Sequence, residues 1–366
     1  MAQNGNGRSP RRRVLVAGAL GAVGSLVADL LDSHHLIDLA AITARDTGDH
    51  DSPIGRKLRD IYPEHRVDLE LQSLDALHLD EFDAAVVAYP VGAASTLARE
   101  LLEAGLVVVD SCADFRFSDI GVYEEWYEPH QEPSLVAEAV YGLPELHREK
   151  IKEARLIGNP GCYPTASVIA LAPLVQEGLV EDVVIDAKSG VSGAGKRGDK
   201  TPPFVGTHDN MRPYGVPGHR HEPEITEQLN LLGYDGDLTF VPHLIPIDQG
   251  ELVSCYVKPS REIRAEELTD LYRDIYGSEL FVEVAAGLPS ARDVQRTNIC
   301  RISPMLDHDQ NRILVFTTID NLWKGGASQA VQNLNLALDL PEGEGISAGL
   351  PSSVSPASLD RFPVSA

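Results

Sequence analysis

A chain of 366 residues, 43% hydrophobic and 23% charged, has ordinary globular composition and is too long for one small core, so two domains are expected. Its formal net charge of −24 argues against a nucleic-acid partner and obliges any anionic ligand to find a locally basic pocket. No run approaches 18 apolar residues, the basic start Met1 to Arg13 lacks an apolar signal core, and Cys112, Cys162, Cys255 and Cys300 form no CxxC pair. Together these predict a cytoplasmic chain with free thiols and no membrane partner.

Residues 1–12 read as a loose lead-in. An apolar strand over 14–17 runs into Gly18-Ala19-Leu20-Gly21-Ala22-Val23-Gly24, after which Val27, Leu30 and Leu31 recur at helical spacing before a second strand over 39–42. Strand, glycine turn, helix, strand opens a Rossmann unit, in which a dinucleotide's pyrophosphate rests on the helix N-terminus, so Gly18, Gly21 and Gly24 are candidate cofactor contacts. The spacing is GxxGxxG rather than GxGxxG, and a glycine turn without a ligand is the alternative. The second strand ends Thr43-Ala44-Arg45, with no acid until Asp46. An acid there would hold a ribose 2′-hydroxyl, whereas an arginine accommodates a 2′-phosphate, so Thr43 and Arg45 predict NADP (NADPH) over NAD, with a plain surface arginine as the rival.

Strands over 84–88 and 106–109 enclose a helix over 93–104, an alternation that predicts a parallel α/β sheet. Beyond them, Asp110-Ser111-Cys112-Ala113-Asp114-Phe115-Arg116 stands at the carboxyl end of a strand, where such sheets bind ligands. Arg116 is there either as a fork for a phosphate or carboxylate or as an ion-pair partner of Asp114.

Cys162 lies in Gly158-Asn159-Pro160-Gly161-Cys162-Tyr163-Pro164-Thr165, directly ahead of an apolar helical pattern. A thiol at a helix start feels the positive end of the dipole and unpaired N–H groups, which lower its pKa and supply donors for an oxyanion. A fall of about two units would make it mostly thiolate at neutral pH. Gly161 would let a substrate carbonyl approach the backbone, and Pro164 suits a first helical turn. A buried, inert helix-start cysteine is the alternative.

A strand over 183–187 then enters the small-residue loop Lys188-Ser189-Gly190-Val191-Ser192-Gly193-Ala194-Gly195, and Gly218-His219-Arg220-His221-Glu222-Pro223-Glu224 places two histidines and an arginine in one turn. Short strands near 239–241, 251–257, 281–284 and 313–318 predict a mixed, largely antiparallel second sheet. A long amphipathic stretch over 327–340 would be the closing helix, and 341–366, rich in Gly, Pro and Ser, a loose tail. The fold class is thus α/β: a Rossmann-type parallel sheet over 13–161, to which the helix 327–340 returns, and an α+β unit over 162–326.

Six segments, in order, resemble the semialdehyde dehydrogenase family, and within it the arginine-pathway branch. They are Ser111 to Arg116, Tyr141-Gly142-Leu143-Pro144-Glu145-Leu146, Gly158 to Thr165, Asp186 to Gly195, Gly218 to Ile225, and Asp320-Asn321-Leu322-Trp323-Lys324-Gly325. The resemblance implies NADPH-dependent reductive dephosphorylation of a small-molecule acyl phosphate, N-acetyl-gamma-glutamyl phosphate, through a Cys162 thioacyl intermediate. It also implies that the second unit serves catalysis and association into a homodimer or homotetramer. By the same likeness His219 is the acid/base, with His221 in reserve. Arg116 clamps the substrate phosphate, Arg220 meets its carboxylate, Asn159 also binds substrate, and Lys188 serves either the substrate or the cofactor. Ser192, Gly193, Gly195, Asn321 and Lys324 lie against the cofactor. The His-x-His pair lacks a third ligand set, so no metal is expected. Rival readings are the same chemistry on a carrier-linked aminoadipyl phosphate or on aspartyl phosphate, or a non-catalytic NADP sensor. Where relatives carry a Ser before and a Tyr-Thr pair after Gly21, this chain has Leu20, Ala22 and Val23, and Cys112 replaces a usual Ser.

Overall fold

The computed structural model describes residues 11–48, 51–194, 208–307, 309 and 311–346. Gly195 and the expected tail from 347 onward lie outside the described residues.

The first half forms a seven-stranded sheet from β1 (Arg12–Ala17), β2 (Ile37–Thr43), β3 (Leu71–Gln72), β4 (Ala84–Val87), β5 (Val107–Asp110), β6 (Val140–Tyr141) and β7 (Leu156–Gly158), in the order β3-β2-β1-β4-β5-β7-β6. Every neighbouring pair runs parallel. The strands are continuous apolar runs because helices cover both faces, and Val14 to Ala17 and Ala84 to Val87 are fully buried. The order around β1 and β4 reverses as in doubly wound nucleotide folds, leaving the crevice for a ligand at the carboxyl ends.

The second half forms a seven-stranded sheet from β8 (Val180–Ser189), β9 (Arg212–Pro213), β10 (Asp237–Leu244), β11 (Glu251–Pro259), β12 (Val282–Val284), β13 (Cys300–Asp307) and β14 (Arg312–Ile319). Its order is β12-β13-β14-β11-β8-β10-β9, with β12–β13 and β8–β10 parallel and the other pairs antiparallel. The α/β class, with a parallel sheet followed by a mixed one, is therefore as expected. One face of this sheet is alternate apolar residues (Val183, Ile185, Ala187; Val253, Cys255, Val257; Ile313, Val315, Ile319) packed in one cluster with the helix Cys162–Gln176. That helix is apolar on all sides and buried from Tyr163 to Val175, which is why its sequence shows no polar face.

Three expectations need correction. The closing helix is shorter than 327–340, running Ser328–Ala337 after a wide π-turn at Trp323–Ala327. Nor is it amphipathic, because Gln329, Gln332, Asn333 and Asn335 are buried too. Their amides stitch it to the chain: Gln329 and Asn333 donate to the Gly142 carbonyl, and Asn335 donates to the carbonyls of Glu342 and Glu344. Residues 341–346 are not loose either, since those bonds, an Arg148–Glu342 ion pair at 2.9 Å and the buried Ile346 hold them down. Among the described residues no helix is long and apolar enough to cross a membrane.

Candidate active site

The first of the two sites is the glycine turn. Gly18 has φ +93°, and a Cβ built there would stand 2.6 Å from the Ala88 carbonyl oxygen. A Cβ on Gly24 would stand 2.3 Å from the Gly18 oxygen, so this glycine lets the helix Ala22–Asp32 close on the turn. Gly21 begins the helix without a side-chain cap, and the first turn carries no acid. Backbone N–H groups there are left for an anion. The Thr43 carbonyl accepts the N–H groups of Gly18 and Ala19 at 3.1 and 3.0 Å. Its hydroxyl is buried against Tyr89 at 3.3 Å, so Thr43 holds the turn and is withdrawn as a direct cofactor contact. Arg45 lies exposed two residues beyond β2.

Cys162 is the first residue of its helix, after an uncapped Gly161. The Glu224 carboxylate accepts the Gly161 N–H at 2.9 Å and the Tyr141 hydroxyl at 3.0 Å, and pairs with Arg116 at 3.3 Å. Space over Gly161 is taken by His221, whose Nε2 lies 2.6 Å from where a Cβ would be. The glycine therefore admits an imidazole, and the expected approach of a substrate carbonyl at this point is corrected. His219 and His221 have ring centroids 4.9 Å apart, both edge-on to Tyr163. His219 Nδ1 accepts the His221 N–H at 3.1 Å, which leaves its Nε2 as the protonated nitrogen of the neutral ring. Burial, with the Arg220 charge, pushes the His219 pKa down to about 4. Burial first, then His219, Arg116 and Arg220, holds His221 well below its usual value. Both rings are neutral at pH 7.

The thiol does not follow the dipole argument. Burial is the largest influence, followed by the Glu251 carboxyl, and together they push Cys162 well above the ordinary thiol range. The Tyr163 N–H and the Arg116 guanidinium pull the other way and do not win. A helix terminus contributes at most about 2 kcal/mol, whereas desolvation can move a buried group by several units. The expected low pKa is therefore overturned for this state of the site.

Gly325 and Gly326, in the π-turn, join the two sites. A Cβ on Gly325 would stand 2.6 Å from the Cys162 Cβ, and one on Gly326 would stand 3.5 Å from Val23 in the first turn of the helix Ala22–Asp32. The carboxylate of Asp320 fixes this turn by accepting the N–H groups of Arg296, Leu322 and Trp323. Beside it the Asn321 amide accepts the Gly250 N–H at 2.8 Å and donates to Ser192 at 3.1 Å, bringing Ser192, Gly193 and Asn321 together.

Other expected contacts are spent elsewhere. Lys324 is fully buried, its ammonium bonded to Glu145 at 2.6 Å and Gln332 at 2.8 Å, so its charge cannot reach a cofactor. Asn159 donates its amide to Gly326 and accepts from Asn333, so it is a clamp between segments rather than a substrate ligand. Lys188 points to the face of β8 opposite Ala187 and the cysteine helix and pairs with Asp186 at 2.6 Å. Arg116 pairs with Glu224 rather than Asp114, whose carboxylate serves Gly92, Ser95 and Tyr123. Three of its five N–H groups bond Asn159, Glu224 and Ser111, which leaves two for an anion. Arg220 is exposed, 5.5 Å over the Tyr127 ring.

Glu224 and Glu251 were missed. Each had a legible signal: a carboxylate on the buried side of a helix with Ile225 and Leu229, and one in register with Val253, Cys255 and Val257.

Residues 13–154 match the family model described as the semialdehyde dehydrogenase NAD binding domain, and 162–321 the semialdehyde dehydrogenase dimerisation domain. The chain is 42% identical over 343 residues to the N-acetyl-gamma-glutamyl-phosphate reductase of Desulforudis audaxviator, covering 91% of this chain and 97% of that one. It is 41% identical over 356 residues to the enzyme of that name from Bordetella pertussis, covering 94% and 98%. Among solved structures, Vibrio cholerae aspartate semialdehyde dehydrogenase II superposes with a TM-score of 0.69 at 19% identity, over 90% of this chain and 99% of that one. The Candida albicans aspartate semialdehyde dehydrogenase with NADP gives 0.66 at 15% identity, over 89% and 98%.

Proposed function

The chain belongs to the semialdehyde dehydrogenase family, and from that premise we propose that it reduces N-acetyl-gamma-glutamyl phosphate to N-acetylglutamate 5-semialdehyde with release of phosphate, a step of arginine biosynthesis, using NADPH. The observation that carries the reading is the Gly325-Gly326 pair, which has Cys162 against one glycine and the nucleotide helix against the other. A nucleophile on a nucleotide crevice is the arrangement that acyl reduction requires.

Cys162 Sγ attacks the acyl carbon and phosphate departs, which leaves a thioacyl enzyme. The nicotinamide cofactor, when bound, supplies the hydride for that carbonyl carbon. The turn Gly18 to Gly24 suits its pyrophosphate, Arg45 suits the 2′-phosphate, and Ser192, Gly193 and Asn321, gathered beside the Gly325-Gly326 turn, suit the rest of the cofactor. The Tyr163 N–H, already directed at the sulfur, is a donor for charge developing beside it. The free N–H groups of Arg116 take the departing phosphate, and Arg220 meets the carboxylate at the open side. Of the two neutral imidazoles, His221 is now preferred over His219 as acid/base, because its Nε2 is the one against the Gly161–Cys162 junction. Association as a homodimer or homotetramer is supported by the sheet face away from the cysteine helix, where Leu252, Tyr256, Met305, Leu314 and Phe316 are incompletely covered.

Phosphate-dependent NADP reduction tests the substrate. We expect N-acetylglutamate semialdehyde to be oxidised at least about a hundredfold more efficiently than aspartate semialdehyde, since a site built for polar contacts rejects analogues lacking them. Equal efficiency overturns the substrate; no turnover of either overturns the activity.

A further inference from the structure

Glu251 is the one charged member of a core-facing stripe. Residues 251, 253, 255 and 257 of β11 share a face, and the last three pack in the cluster that includes the cysteine helix. Glu251 stands opposite Ser189 on β8 and Ile319 on β14. It is fully buried, and neither carboxyl oxygen has a hydrogen-bond partner of ordinary geometry among the described residues. A leucine would complete the stripe without that desolvation cost. The group it faces is Cys162, each being a leading influence on the other's ionisation, although the S–H does not form a well-shaped hydrogen bond to it. The other titratable groups acting with it are Asp320 at the end of β14, Tyr163 on the cysteine helix, Tyr214 and, on β13, Cys300.

We infer that Glu251 takes the proton of the Cys162 thiol as the sulfur attacks and returns it when the aldehyde leaves. The inference rests on the reading of Cys162 as nucleophile. In the first step the S–H bond breaks and its proton passes to a carboxylate oxygen. The sulfur lone pair forms the S–C bond, and the acyl–oxygen bond breaks with its pair on phosphate. After hydride addition the alkoxide collapses to C=O, the C–S pair returns to sulfur, and the Glu251 carboxyl protonates it. The departing phosphate takes one proton from water to leave as the dianion and the nicotinamide supplies the hydride, so each turnover consumes one solvent proton while Glu251 and Cys162 end as they began. Burial raises the carboxyl to about pKa 8, close to what a base for a thiol needs. The work divides accordingly: Glu251 serves the sulfur from inside the protein, and the imidazoles serve the substrate's oxygens.

The test is the rate of Cys162 alkylation by iodoacetamide between about pH 6 and 10, with the labelled residue identified by mass spectrometry, in the unaltered chain, Glu251→Gln and Glu251→Leu. Cys112, Cys255 and Cys300 are buried, so the label reads Cys162. At pH 8 both variants should alkylate about tenfold more slowly or worse, with the rise through pH 8 moved above about pH 9. Rates equal to or above the unaltered chain in either folded variant overturn the inference, since Glu251 would then only repel the thiolate. Glu251→Leu covers the case in which a buried glutamine does not fold. A Cys162→Ser chain assayed alongside separates the two levels. Retained turnover there sinks the nucleophile itself, whereas lost turnover with unchanged Glu251 variants sinks Glu251 alone.

Discussion

The helices Ala22–Asp32 and Cys162–Gln176 start almost identically and are put to opposite uses. Gly21 has φ −74° and ψ 158°, Gly161 φ −73° and ψ 162°, and neither start has a side-chain cap. In each, the residue four on closes the first turn, Ser25 N–H to the Gly21 oxygen and Thr165 N–H to the Gly161 oxygen, both at 2.9 Å. What differs is the space above. Over Gly21 nothing comes nearer than 3.5 Å to a built Cβ; over Gly161 the His221 ring does, at 2.6 Å. An open start leaves its N–H groups for a ligand from outside. In the filled one the N–H of Tyr163 faces the protein's own side chain, the sulfur of Cys162. The dipole is common to both, so it cannot explain their chemistry; the neighbours do.

The comparison breaks most completely at Cys162→Ser. A hydroxyl in the same place lacks a thiol's nucleophilicity, and turnover should fall by on the order of 10⁴-fold or more. NADPH affinity by fluorescence titration should be unchanged, because the open start is untouched. A variant that keeps turnover removes the covalent route; one that loses NADPH as well shows that the two starts are not independent.

Removing the group that fills the second start comes next. His221→Ala should lower turnover by about 10²–10⁴-fold, the usual range for an acid/base, and His219→Ala by less, since its Nδ1 is spent on the His221 N–H. Steady-state rates of the two variants decide it. If His219→Ala is the more damaging, the ring over Gly161 is packing and the outer imidazole is the acid/base.

Gly24→Ala attacks the open start instead. Its methyl would meet the Gly18 oxygen at 2.3 Å, a backbone atom that cannot swing aside. The turn must open, and overpacking of about 1–3 kcal/mol corresponds to roughly a 5- to 150-fold loss of NADPH affinity. Cys162 alkylation should stay as it was. Affinity within twofold of the unaltered chain would mean that Gly18 and Gly24 need not touch for binding.

Much of this was legible in the residues, and what was not shares a cause. The Rossmann opening, the parallel-then-mixed order of sheets and the position of Cys162 at a helix start follow from local periodicity and glycine placement. Partner choice does not. The resemblance makes Lys324 and Asn159 ligand contacts, yet each is consumed by a distant partner, Glu145 and Asn333, while Lys188 is taken by its near neighbour Asp186 on the strand face turned away from the cysteine helix. The expected low pKa of Cys162 failed for a related reason: burial by the surrounding fold raises it most, and Glu251, which adds to that, is 89 positions away in the chain and adjacent only once β11 is in the sheet. The polar closing helix likewise reads as amphipathic until Gly142 and Glu342 are placed against its amides.

The finest distinction at the open start is which phosphate it sees. The proposed pyrophosphate site, the turn Gly18 to Gly24, offers backbone alone and would not tell NADP from NAD, so on that proposal discrimination falls to side chains at the end of β2. Arg45 is exposed there, and exposed charge pairs contribute little, about 1 kcal/mol when the geometry is good. Arg45→Asp should therefore weaken NADPH by only about five- to tenfold and strengthen NADH by a similar factor, because the new carboxylate can accept a ribose hydroxyl. Turnover at saturating cofactor should not change. Titration of both nucleotides reads the ratio directly. If the preference for NADPH is the same in the variant, the 2′-phosphate is held by some other cation, and the open start reads its ligand through the backbone alone.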